Sequence, residues 1–253
     1  MKFLKAQGLG NDFMMVDVTS TPEYNWKNIA IHLSNRHLGI GFDQLILFKN
    51  NKVWFYNSDG SSAENCGNGT RCLAYYLMKK AKTRAVNIET PGGVVECSLN
   101  ADETVSVKMP YPSVIEMRDI VAQADLFKHT PVFVRIGNPH LVCFVDNLED
   151  IHEYGPILAR QDVNVQFVRF QDSSTLNLKT WERGSGLTHA CGSGSCASVV
   201  AAHQHNLVEQ KVCVKQEGGD LHIEFDKEKL LMTGAALIVY EGDIDMESQA
   251  WAF

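Results

Sequence analysis

Two short turns carry the chemical signal of this chain. In Cys66-Gly67-Asn68-Gly69 and Cys191-Gly192-Ser193-Gly194, a thiol stands just before a helical pattern, and the spacing predicts helix bodies over 70–80 and 195–206. A helix N-terminus offers unsatisfied N–H groups and a partial positive charge. Such an end binds an anion such as a carboxylate and favours the thiolate of an adjacent cysteine. Glycines after the cysteine let a ligand approach the backbone. A lone cysteine is more often a small buried hydrophobe. Cys97, Cys143 and Cys213 alternate within strand patterns in that manner, and Cys72 and Cys196 read as helix packing. Zinc ligation by Cys66, Cys72, Cys191 and Cys196, or by His189 with Cys191, fits the usual ligand spacings poorly. No metal is expected.

The two turns belong to a repeat. Ala63-Glu-Asn-Cys66-Gly-Asn-Gly69 resembles Thr188-His-Ala-Cys191-Gly-Ser-Gly194, and the cysteines stand 125 positions apart in a chain of 253. Asn57 and Glu182 each lie nine residues before their cysteine, and each follows an aromatic residue. Gly10-Asn11 and Gly137-Asn138 each precede a short apolar run at nearly the same offset. Three matches in one order point to two homologous halves related by a pseudo-two-fold axis. That symmetry would set equivalent residues opposite each other across a cleft. Two thiols so placed form an acid/base pair. One thiolate removes a proton from carbon, the other thiol delivers one to the opposite face, and a stereocentre inverts. The two helix ends would hold the α-carboxylate and stabilise charge moving onto it.

The elements that must position these residues are legible in outline. Period-2 stretches predict strands at 94–99, 105–109, 132–136, 141–145, 163–170, 176–181, 221–225 and 236–240. Thr90-Pro-Gly-Gly93, Gly218-Gly219 and Asn206 supply turn signals. Helices are predicted near 26–36, after Cys66 to about 80, near 117–127, and after Cys191 to about 206. The order is α+β with strand predominating, so a parallel dinucleotide-binding fold is excluded. Lys and Arg number 23 against 30 Asp and Glu, a net charge of −7, with 45% hydrophobic and 21% charged residues. This composition is globular and disfavours binding to nucleic acid or an anionic membrane. Seven cysteines and an N-terminus without a signal pattern predict free thiols in a reducing cytoplasm.

Taken together, several motifs resemble those of the diaminopimelate epimerases, a branch of the cofactor-independent amino-acid racemase and epimerase superfamily. They are Gly10-Asn-Asp-Phe13, Gly39-Ile-Gly-Phe-Asp-Gln44, Asn57-Ser-Asp-Gly-Ser61, the two cysteine turns, Gly137-Asn-Pro-His140, Asn164-Val-Gln-Phe167 and Trp181-Glu-Arg-Gly184. Phe42 stands where the family usually has a small residue, and Leu187 where it usually has Glu. The resemblance implies two pseudo-symmetric halves, each a mainly antiparallel sheet wrapped around a helix, with the active site in the cleft between them. The expected halves are residues 1–116, with 241–253 returning to the first, and 117–240.

The implied reaction interconverts LL- and meso-diaminopimelate for lysine and peptidoglycan precursors, without pyridoxal phosphate or any other cofactor. By resemblance, Cys66 and Cys191 are the catalytic pair. Gly67, Asn68, Gly192 and Ser193 would bind the reacting carboxylate. Asn11, Gln44, Asn57, Asn138, Asn164, Glu182 and Arg183 would be the remaining substrate ligands, and His140 and Glu182 would tune the thiols. The planar fork of Arg183 suits the distal carboxylate of a two-headed substrate, and neutral Asn amides can serve carboxylate and ammonium together. A homodimer is also implied. The alternatives are a related racemase of another amino acid and, from a different class, a non-catalytic amino-acid-binding or thiol redox protein.

Overall fold

The computed structural model describes residues 1–115, 126–159 and 163–246. The chain divides into two compact units, Met1–Val107 with the chain from Ala235 onward, and Lys108–Gly234. The sequence placed these cuts later, at 116/117 and 240/241. They fall earlier because Met109 already bonds Leu230 in the second unit, while Leu237 already pairs with Gln7 in the first.

The first unit holds β1 (Lys2–Gly8), β2 (Asn11–Asp17), α1 (Trp26–Leu33), β3 (Gln44–Lys49), β4 (Lys52–Asn57), β5 (Ser62–Ala63), α2 (Gly67–Ala81), β6 (Ala85–Thr90), β7 (Gly93–Leu99) and β8 (Val105–Lys108). The second holds β9 (Ser113–Ile115), β10 (Val132–Ile136), β11 (Asn138–Phe144), α3 (Ile151–Leu158), β12 (Asn164–Asp172), β13 (Thr175–Glu182), β14 (Gly186–Thr188), α4 (Gly192–Gln204), β15 (Lys211–Gln216), β16 (Gly219–Phe225) and β17 (Leu230–Gly234). The chain then returns to the first unit as β18 (Leu237–Asp243), antiparallel to β1.

The topology repeats strand for strand. In the first unit β1–β2 is antiparallel, β2–β3 parallel, β3–β4 antiparallel, β4–β6 parallel and β6–β7 antiparallel. In the second, β10–β11, β11–β12, β12–β13, β13–β15 and β15–β16 follow the same series. β18 occupies in the first unit the place that β9 takes in the second. The parallel pairs were not expected from the sequence. Each needs a crossover, and α1, α2, α3 and α4 supply them.

Central strands bury both faces. Met14, Val16, Leu45 and Leu47 pack with Ile29, Ala30 and Leu33 of α1, and Phe42 is buried in the same cluster. The alternate residues, including Phe13, Met15, Ile46 and Phe48, are also buried. They point towards α2, where Ile46 Cδ1 lies against Gly69 and the Phe48 ring meets Tyr76 edge-on. In the second unit Leu141, Cys143, Val165 and Phe167 pack with Ile151 and Leu158 of α3, with Leu187 at the margin. The opposite face, with Val142, Gln166 and Val168, lies towards α4. α4 is buried on nearly every side from Gly194 to Ala202. Its Ala, Ser and Val side chains are small enough to let strands close around it.

The predicted helix over 26–36 ends at Leu33, where Ser34 takes the cap. α3 was not foreseen because Gly155 and Pro156 sit inside it. The expected helix over 117–127 falls mostly outside the described residues, and Leu126 and Phe127 are not helical. Residues 247–253 of the expected return also lie outside them. Among the described residues, no helix is long and apolar enough to cross a membrane.

Candidate active site

Both cysteines are N-caps, with extended backbones of φ −143°, ψ 102° at Cys66 and φ −127°, ψ 112° at Cys191. In each case the sulfur does what a Ser or Asp oxygen does at most helix starts. Gly69 N donates to Cys66 Sγ at 3.3 Å, and Gly194 N donates to Cys191 Sγ at 3.4 Å. The main-chain helical bonds begin with Thr70 N to Cys66 O at 2.8 Å and Ser195 N to Cys191 O at 2.9 Å. Helix therefore starts at Gly67 and Gly192, three residues before the predicted bodies. That leaves the N–H groups of Gly67, Asn68, Gly192 and Ser193 at the helix mouths, where an anion is stabilised. The third helical position must be glycine. A Cβ on Gly69 would lie 2.8 Å from Ile46 Cδ1 and 3.2 Å from Cys66 Sγ, and one on Gly194 would lie 2.9 Å from Gln166 Nε2 and 3.2 Å from Cys191 Sγ.

In the first unit the polar residues lie at strand ends, in step with buried residues that face α2. Asn11 Oδ1 accepts from Asn68 Nδ2 at 3.3 Å and, weakly, from Cys66 Sγ at 4.0 Å. Its own Nδ2 donates to Asp43 at 2.8 Å. Asp43 accepts from Arg36, which also grips both oxygens of Asp12 at 2.9 and 2.8 Å. Lys5 bonds the same Asp12 carboxylate. Burial alone would raise the Asp12 carboxyl, but Arg36 and Lys5 together hold it below the usual range. This charged network orients Asn11. Beside it, Gln44 Nε2 donates to Asn57 Oδ1 at 2.7 Å, and Asn57 Nδ2 donates to Ser61 Oγ at 2.9 Å.

The second unit gathers a parallel set. Asn164 Oδ1 accepts from Arg183 N at 2.9 Å, and Glu182 accepts from Thr188 Oγ1 at 2.7 Å. Ser193 Oγ lies 3.7 Å from Cys191 Sγ. His140 pairs in register with Asn164 across β11 and β12. Asn138 is exposed at the start of β11, beyond the tight turn at Gly137, and Arg183 is exposed at the end of β13. The structure thus brings Asn11 and Asn68 to Cys66, and Glu182 and Ser193 to Cys191, while Gln44 bonds Asn57, Arg183 N bonds Asn164, and Asn138 lies two residues before His140 on β11.

The protonation of the second group departs from the sequence expectation. Cys191 is 4% exposed. Burial pushes its thiol well above the ordinary range, and the Glu182 carboxylate pushes it further. The Gly194 N–H and Ser193 hydroxyl oppose this and lose. A helix end stabilises a thiolate only where desolvation does not outweigh it. Cys191 therefore rests as a neutral thiol, not the thiolate its position suggested. His140 is fully buried, and burial lowers its pKa to about 4, so the ring is neutral. Its polar neighbour is the Gln166 amide, which acts weakly in the opposite sense. No atom of that ring or amide completes a hydrogen bond of ordinary geometry.

Two residues near Cys191 escaped the sequence reading. Gln166 lies between apolar neighbours in β12, within a motif whose Asn164 alone was singled out. Gln216 ends β15, and its Oε1 accepts from Cys191 N at 2.9 Å. The available signal was a polar amide at a position where the strand pattern calls for a core residue.

The chain matches the family described as diaminopimelate epimerase over residues 3–115 and 132–239. It is 38% identical over 273 residues to the diaminopimelate epimerase of Pseudomonas fluorescens (strain Pf0-1), covering 96% of this chain and 99% of that one. It is 36% identical over 277 residues to the diaminopimelate epimerase of Methanococcus maripaludis (strain C6 / ATCC BAA-1332), covering 97% and 100%. Among solved structures, it shares its fold with a phenazine biosynthesis protein of the PhzF family from Bacillus anthracis, at a TM-score of 0.73 and 16% identity, covering 97% of this chain and 99% of that one. It also shares it with a probable proline racemase from Agrobacterium radiobacter K84, at a TM-score of 0.72 and 11% identity, covering 97% and 93%. The two cysteine turns thus stand in a chain that belongs to the diaminopimelate epimerase family.

Proposed function

We propose that this protein interconverts LL- and meso-diaminopimelate with Cys66 and Cys191 as its two acid/base groups. The observation that carries the reading is the duplicated sulfur cap, with Gly69 N at 3.3 Å from one thiol and Gly194 N at 3.4 Å from the other. One cysteine takes the proton from the α-carbon as the other returns one to the opposite face. Cys191, neutral at rest, is the donor in one direction and must become a thiolate in the other. The helix mouths at Gly67, Asn68, Gly192 and Ser193 hold the reacting carboxylate and stabilise the charge delocalised onto it. Asn11, Gln44, Asn57, Asn138, Asn164 and Glu182 bind the polar groups of the substrate, and the Arg183 guanidinium takes the distal carboxylate. His140 and Glu182 set the protonation of the thiols. No cofactor enters these steps. The same reading takes the enzyme to act in the cytoplasm as a homodimer, on the odd cysteine count and the family membership.

The test is kcat/KM for diaminopimelate and for alanine, with wild type and Arg183→Lys. A site built to bond a second polar head rejects an analogue that lacks it by about 10⁴-fold or more. Lys keeps the charge and loses the paired donors, so the substitution should impair diaminopimelate turnover and leave folding unchanged. Comparable wild-type efficiency on alanine would discard the diaminopimelate assignment and keep the two-thiol chemistry.

A further inference from the structure

We propose that Gln216 is a positioning residue for Cys191: its side-chain carbonyl holds the N-cap backbone from which the thiol projects. The inference rests on the reading of Cys191 as an acid/base group. A cap residue's own N–H lies outside the helical ladder and needs a partner from elsewhere. Gln216 Oε1 supplies it at 2.9 Å, and one turn further along the same hairpin Gly218 N donates to His189 O at 2.9 Å. Two bonds from the β15–β16 hairpin thus fix residues 189–191 from one side, while Gly194 fixes the sulfur from the other.

The repeat gives the hairpin contact a counterpart in the first unit, with a different side chain at the place of Gln216. In the first, Gly92 N donates to Glu64 O at 3.2 Å, the counterpart of the Gly218 bond. Thr90 pairs with Gly93 in its hairpin as Gln216 pairs with Gly219. Thr90 Oγ1, however, bonds the side chain of Asn65 at 2.9 Å. The hairpin contact is common to both units, and in the second the hairpin side chain at this place reaches the cap N–H itself.

The chemistry of the amide supports a dedicated role. Only its oxygen can accept from an N–H, so the group's orientation is dictated. Its Nε2 is then enclosed without a hydrogen-bond partner. An unpaired buried donor is costly, and an apolar side chain of the same length would avoid that cost. What the amide adds is the acceptor at Cys191. The need is greater here than at Cys66, because Cys191 is buried and must pass between thiol and thiolate in a fixed position.

Two variants separate this role from packing. Gln216→Met keeps the shape and removes the acceptor, and Gln216→Glu keeps the acceptor and adds a negative charge. The readouts are kcat and KM across pH 7–10, and iodoacetamide alkylation of Cys191 relative to Cys66 in the same sample, followed by mass spectrometry. Gln216→Met should lower kcat about tenfold with KM within about twofold, and should change the Cys191 to Cys66 alkylation ratio at least about threefold. Gln216→Glu should slow Cys191 alkylation near pH 8 and move the basic limb of kcat to higher pH, because the carboxylate disfavours the thiolate. Lys215→Gln, at the exposed neighbour, should match wild type. Wild-type kcat and alkylation ratio in Gln216→Met would overturn the inference. If that variant does not fold, an unshifted pH profile and unchanged Cys191 reactivity in Gln216→Glu would overturn it equally. Alkylation is read without turnover, so a failed epimerase reading would leave the alkylation ratios standing.

Discussion

Nine residues before Cys66 stands Asn57, a neutral amide bonded to Gln44 and Ser61. Nine residues before Cys191 stands Glu182, a carboxylate that presses on the thiol through its charge. The turns after them are the same, with Gly60 N bonding Asn57 O at 2.9 Å and Ser185 N bonding Glu182 O at 3.2 Å. The caps are the same within 0.1 Å. The first thiol is partly exposed and the second is buried. Duplication has preserved the backbone that aims each sulfur, while the charges and burial around the sulfurs have diverged. In the two-thiol reading proposed above, one group holds a proton while the other does not, and the different surroundings of the two sulfurs bear on which of them holds it at rest.

The largest effect should come from deleting either thiol. Cys66→Ala and Cys191→Ala should each reduce epimerisation by at least about 10²-fold, the contribution of one positioned acid/base group, with unchanged circular dichroism. Substantial turnover surviving in one variant alone would break the equivalence of the two turns.

The caps should fail next. The Cβ of Gly194→Ala would lie 2.9 Å from Gln166 Nε2 and that of Gly69→Ala 2.8 Å from Ile46 Cδ1, each the end of a fully buried side chain. Overpacking of this kind costs about 1–3 kcal/mol, so each variant should lose about tenfold in kcat and unfold at lower urea. A loss in one variant alone would show that the two caps are not equivalent.

A smaller effect should isolate the charge difference. Glu182→Gln removes the carboxylate that raises the Cys191 thiol, so the thiolate fraction at pH 8 increases and iodoacetamide should modify Cys191 several-fold faster, with Cys66 unaffected. No change in Cys191 reactivity would remove Glu182 from the account.

A separate effect, confined to alkaline pH, is on stability. Burial raises Cys72 and Cys97 to about 12, and raises Cys143 and Cys191 as well. Unfolded thiols lose their protons near pH 8.5. Above that pH the folded state binds more protons than the unfolded state, so stability is full below it and falls as pH rises, by about 1.4 kcal/mol per pH unit per thiol. Urea midpoints between pH 7.5 and 10.5 should show this decline, and Cys191→Ala should flatten it by about one thiol's share. A flat wild-type profile would contradict the burial assigned to these groups.

The sequence marked the candidate site by its repeat, and the fold around it only in outline. Strands with one exposed face, such as 94–99 and 221–225, were legible by alternation. β2 and β3 were not: Phe13–Val16 and Leu45–Phe48 are buried on both faces and show no alternation, a pattern shared by Leu141–Val145, which was nevertheless read as a strand. The parallel pairings depend on crossovers that no local pattern encodes. At the site, the repeat located both cysteines and their helices. It did not reveal that Cys191 would be desolvated beside Glu182, nor that Gln216 would reach its backbone from a distant hairpin. Those facts depend on tertiary burial, which a one-dimensional repeat does not carry.

The central claim is that two separate monoprotic groups invert the α-carbon of diaminopimelate. It is tested most directly by incubating the LL isomer, and separately the meso isomer, with wild-type enzyme in D2O and following Cα labelling at early times. The account predicts that each product molecule carries solvent deuterium at the inverted centre, while recovered starting isomer stays almost wholly protiated, because a thiol that takes the substrate proton is not the one that delivers deuterium. Product retaining the original proton, or equal early labelling of substrate and product, would contradict it.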